Sequence, residues 1–92
     1  MARSYQIDSI GGNCPVQADG HIGGKTEFYF RARGDSWSMS IGGSDVVGDP
    51  DWYHEEDFGT WPEAGWMTEA EARQFIDKAI NLYWSGAKSD AA

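Results

Sequence analysis

The side chains best suited to chemistry gather in one short stretch: Asp49, Asp51, His54, Glu55, Glu56 and Asp57. Carboxylates this close in sequence raise hard-cation binding first. A calcium loop of the EF-hand type needs oxygen ligands at alternate positions, a glycine at position 6 and a bidentate glutamate at position 12. Counted from Asp49, those two places hold His54 and Thr60, so the match fails where it is most diagnostic. Zinc fares no better. No second histidine stands four residues after His54, which removes the metalloprotease pair, and Cys14 with His21 falls short of the four ligands of a structural site.

Covalent catalysis would rest on Cys14, but acidic surroundings raise a thiol pKa and weaken the nucleophile. Cys14 reads instead as a small buried apolar side chain. Paired carboxylates for glycoside chemistry are plentiful, yet a chain of 92 residues offers little pocket for a sugar. Gly42-Gly43 precedes no helix and no lysine follows, so the phosphate-binding glycine fingerprints are missing. Arg33-Gly34-Asp35 spells an adhesion tripeptide, but it falls in a hairpin turn. No constellation commits to a reaction, and the expectation is a protein with no catalytic residues, no bound metal and no cofactor.

The acids point to binding. Between Arg33 and Arg73 run 39 residues without a lysine or arginine, and they hold 10 carboxylates interleaved with Trp37, Trp52, Tyr53, Phe58, Trp61 and Trp66. The formal net charge is −8. Phosphate contacts need local positive charge, so direct nucleic-acid binding is not expected, and anionic membranes are disfavoured for the same reason. A basic protein groove would be attracted, including one built for nucleic acid. Candidate partner-binding residues are Asp45, Asp49, Asp51, Trp52, Tyr53, Glu55, Glu56, Asp57, Glu63, Glu69 and Glu71. In extended chain, residues two apart project to one side about 7 Å apart. Asp49 with Asp51 and Glu55 with Asp57 have this spacing, comparable to successive phosphates on one strand. Trp52 and Tyr53, with Trp61 or Trp66 if exposed, would be the anchors that interfaces favour.

The elements that must position these residues read as α+β. Tyr5, Ile7 and Ser9 alternate with polar neighbours, and a second run covers Cys14 to Ala18. Asp19-Gly20 and Gly23-Gly24 bracket a turn. Lys25 to Arg33 and Ser36 to Ile41 form a hairpin with Phe28, Phe30, Ala32, Trp37, Met39 and Ile41 on one face, and Arg31 and Arg33 on the other, where they could pair with loop acids. From Gly42 to Met67 glycines and prolines interrupt every period, so a long ordered loop pinned by its rings is expected. Thr68 and Glu71 form a capping box for a helix whose Ala72, Phe75, Ile76, Ala79, Ile80 and Tyr83 make one apolar stripe. The prediction is a three- to four-stranded antiparallel β-meander with one C-terminal helix packed on one face. Residues 1–86 form a single domain and 87–92 a flexible tail. One cysteine and no apolar span lead to the cytoplasm, and a monomer is favoured over a homo-oligomer.

The segments Cys14–Gly20 (CPVQADG), Gly24–Gly34 (GKTEFYFRARG), Trp37–Ile41 (WSMSI) and Ala64–Arg73 (AGWMTEAEAR) look like those of small proteins carried by phages and prophages of proteobacteria. In size, acidity and single-domain form the chain also resembles anti-CRISPR proteins, particularly inhibitors of type I surveillance complexes. That resemblance implies an acidic mimic of DNA that occupies a basic recognition groove of an effector subunit in the host cytoplasm. It assigns no individual residue, because such inhibitors share no motif.

Overall fold

The computed structural model describes residues 4–61 and 63–89. Five strands form one antiparallel sheet in the order of the chain: β1 (Tyr5–Gly11), β2 (Val16–Ile22), β3 (Thr26–Arg33), β4 (Ser36–Ile41) and β5 (Trp52–Asp57). A 3-10 turn, Glu63–Trp66, leads into the helix α1, Glu69–Trp84. The fold is α+β, a meander with one helix across one face.

The expected hairpin forms in the expected register. Phe28 faces Ile41, Phe30 faces Met39, and Ala32 faces Trp37. All six are buried, because a side-chain period of two sends both apolar sets to the same face. Val16, Ala18 and Ile22 from β2 join them, and α1 closes the core with Ala72, Ile76, Ala79 and Ile80. Phe75 stacks on Trp37 with ring centroids 5.2 Å apart, which packs the helix against β4. The capping box is present. Thr68 Oγ1 accepts from the Glu71 amide, and Glu71 Oε1 accepts from the Thr68 amide, an arrangement worth about 1 kcal/mol.

Three expectations need correction. The sheet has five strands, not three or four, because β5 lies inside the segment read as loop. Its sequence, WYHEED, puts Trp52, His54 and Glu56 on the helix side and Tyr53, Glu55 and Asp57 on the other. An edge strand with a histidine and an acid facing inward carries no clean apolar alternation. Second, Asp19-Gly20 makes no turn; β2 runs straight through it to Ile22. Gly20 is needed because a Cβ there would stand 1.9 Å from the Gln6 carbonyl and 2.8 Å from the Phe28 ring. Third, Cys14 is exposed, held at the surface by its amide's bond to the Gly65 carbonyl at 2.7 Å.

The segment after residue 86, expected to be loose, is in part tied down. Trp52 Nε1 donates to the Ala87 carbonyl at 2.9 Å, and the Tyr53 amide donates to Ser89 Oγ at 2.8 Å. Residues 90–92 of that segment lie outside the described residues.

Candidate functional site

The candidate acids divide into three groups set by the strand that separates them. Asp45, Asp49 and Asp51 lie in the β4–β5 loop, at the end of the sheet where β5 begins. Glu55 and Asp57 stand on the outer sheet face. Glu63, Glu69 and Glu71 lie beyond the end of β5, around the start of α1. Six strand residues span about 17 Å, so the first and third groups belong to opposite ends of the molecule. A single continuous anionic track through all of them does not form.

Several carboxylates also have structural partners. Asp45 Oδ1 accepts from the Val47 amide and Asp49 Oδ2 from Ser44 Oγ, which shapes the loop. Glu69 pairs with Arg73 one helical turn on, at 3.0 Å. Glu71 is engaged in the capping box, and Glu63 Oε1 accepts from Thr60 Oγ1. Glu56 lies on the helix side of β5, between His54 and Lys78, both 2.7 Å away. Burial acts to raise its pKa, but the hydrogen bonds from His54 and Lys78, and their charge, outweigh that and hold it below the ordinary value.

On the outer face the charges lie in lanes. Reading across the strands, Asp57 faces Ser36, which faces Arg33; Glu55 faces Ser38, which faces Arg31. An acidic lane and a basic lane therefore flank a lane of serines, with roughly 10 Å between the outer backbones. The pairing of Arg31 and Arg33 with loop acids, expected from the sequence, is not among the ion pairs of the described residues; β4 stands between their strand and β5.

Of the four rings offered as anchors, the structure buries Trp52, half-buries Tyr53 and exposes Trp61 and Trp66. Trp52 is only 6% exposed and stacks on His54 with centroids 5.7 Å apart, so it belongs to the core. Tyr53 is half-buried and donates to Glu55 Oε1. The exposed rings are Trp61, at 76%, and Trp66, at 63%. Trp61 lies against the β3–β4 turn; a Cβ at Gly34 would come within 3.1 Å of its Cδ1. Trp66 borders a depression of about 310 Å³ lined by Phe58, Glu63, Trp66, Met67 and Glu71. The signal for these two was present in the sequence: both sit in the Gly- and Pro-rich stretch outside any apolar period.

A second, larger cleft of about 600 Å³ lies beside the β4–β5 loop, with Lys25, Glu27, Asp45 and Asp51 among its lining residues. Among the described residues, no group of three or more His, Cys, Asp or Glu side chains converges as metal ligands would. No helix among them is long and apolar enough to cross a membrane. Comparison with protein-family models, with curated proteins and with solved structures gave no match.

Proposed function

We propose that this chain is a phage-encoded inhibitor that acts by binding, not by catalysis, on a nucleic-acid-handling complex in the host bacterial cytoplasm. Its most concrete target is a subunit of a type I CRISPR effector, whose basic DNA groove it would block as an acidic mimic of DNA. The observation that carries the reading is the exposed set Asp45, Asp49, Asp51, Glu55 and Asp57, displayed by β5 and the loop before it in a chain of net charge −8. Glu55 and Asp57 keep the spacing of about 7 Å on one side of an extended strand. A fixed anionic surface steers a basic partner and accelerates encounter.

The test is a competition assay with a purified type I effector and its target DNA, at low and at moderate salt. The wild-type chain displaces DNA, and displacement weakens as salt rises. Reversal of Asp51, Glu55 and Asp57 to lysine removes most of it. Undiminished displacement by the reversed variant, or none by the wild type, overturns the reading.

The exposure of Trp61 and Trp66 favours one alternative, a small phage assembly or interaction protein without inhibitor activity. That protein would form a stable oligomer through these rings, insensitive to salt on size-exclusion chromatography.

A further inference from the structure

We infer that the depression between the 3-10 turn and α1 is a receptor for one arginine side chain of a basic partner. This rests on the reading above for its choice of partner, but it locates contact at a different place, the end of the sheet away from the β4–β5 loop. Trp66 is the most telling ring. A soluble domain that buries Trp37 and Trp52 leaves this ring 63% exposed beside a cavity instead of folding it into the core. Phe58 and Met67 complete an apolar wall, and Glu63 and Glu71 supply two carboxylates at the rim.

That combination suits a side chain with an apolar stem and a planar cationic head. The stem of arginine covers Phe58 and Met67, its guanidinium stacks on the Trp66 face, and its N–H groups donate to the carboxylates. Each glutamate has capacity left. Glu63 Oε1 takes the Thr60 hydroxyl, and Glu71 Oε1 takes the Thr68 amide and hydroxyl. Among the described residues no hydrogen bond engages the Oε2 of either. The helix N-terminus nearby carries about +0.5 charge, which two carboxylates outweigh roughly four to one. A second copy of this chain is a poor occupant, since it would bring a net charge of −8 against the same acidic rim.

Trp61 extends the surface. Its ring lies against the Gly34 backbone, and it offers a second exposed indole on the same connecting segment.

The probe is an oligo-arginine peptide titrated into the full chain, with an oligo-lysine peptide of equal length beside it, followed by the indole N–H signal of Trp66 and by affinity. The Trp66 signal shifts on binding, and the arginine peptide binds about two- to five-fold tighter than the lysine peptide. Trp66→Ala abolishes that preference. Glu63→Gln with Glu71→Gln weakens binding several-fold while leaving the helix intact, because glutamine also closes a capping box. A static Trp66 signal, equal affinity for the two peptides, or an unaltered preference in Trp66→Ala overturns the receptor. A chain that seats the peptide here but displaces no DNA from an effector loses the inhibitor reading alone. Displacement that survives Trp66→Ala, with no peptide preference, loses the receptor alone.

Discussion

Lys78 Nζ lies 2.7 Å from Glu56 Oε1, while His54 Nε2 lies 2.7 Å from the other oxygen of the same carboxylate. The pair ties the middle of α1 to the edge strand, and it occupies an acid that the sequence offered to a partner. Glu56 thus takes part in holding β5 to α1.

Removing that tie has a defined cost and pH dependence. Lys78 is half exposed, so solvent screens the pair, and Glu56→Gln costs about 0.5–1 kcal/mol at neutral pH. The folded carboxyl titrates below its ordinary value of 4.5. Its stabilisation is therefore fully present above that value and disappears as pH falls through the lower folded one. Urea midpoints of wild type and Glu56→Gln should differ at neutral pH and converge in acid. A constant difference would show that the charge is not responsible.

Tyr5 gives the opposite arm. Its hydroxyl donates to Asp77 Oδ1 at 3.0 Å, joining β1 to the helix. Burial raises its pKa above 10.0; the hydrogen bond to Asp77 and that residue's negative charge add to the rise, and Arg73 offsets part. The protonated form is favoured in the fold, so this contribution is present below the unfolded value and lost as pH rises through the folded one. Tyr5→Phe should flatten the loss of stability in alkaline urea titrations, relative to wild type.

Two core aromatics should respond very differently to substitution. Phe30 is fully buried between sheet and helix, and Phe30→Ala should cost about 3–5 kcal/mol. Trp37 is as deeply buried, but its indole N–H has no hydrogen-bond partner among the described residues. An unsatisfied buried donor costs about 1–3 kcal/mol. Trp37→Phe removes that donor while keeping a ring against Phe75, so its net effect should stay under about 1 kcal/mol. Thermal unfolding of both variants measures the contrast.

Cys14 is exposed at the turn before β2. A thiol reagent should titrate it in the native protein without prior unfolding. Modification that requires denaturant would return it to the interior.

The β3–β4 hairpin, the helix with its cap and stripe, and the class of fold follow from local pattern. Alternation in Phe28, Phe30, Trp37 and Met39 and the i, i+3, i+4 spacing from Ala72 to Tyr83 each choose a face without reference to anything distant. What the sequence left open was decided by neighbours far away along the chain. Trp52–Asp57 has no apolar period of its own; it becomes a strand because β4 supplies its hydrogen bonds and α1 supplies Lys78 for Glu56. The same pairing buried Trp52, left Trp61 and Trp66 outside, and divided one acidic stretch between two ends and two faces of a sheet. Sign and number of charges are properties of composition. Their direction in space is a property of strand register, which is fixed only when the whole sheet assembles.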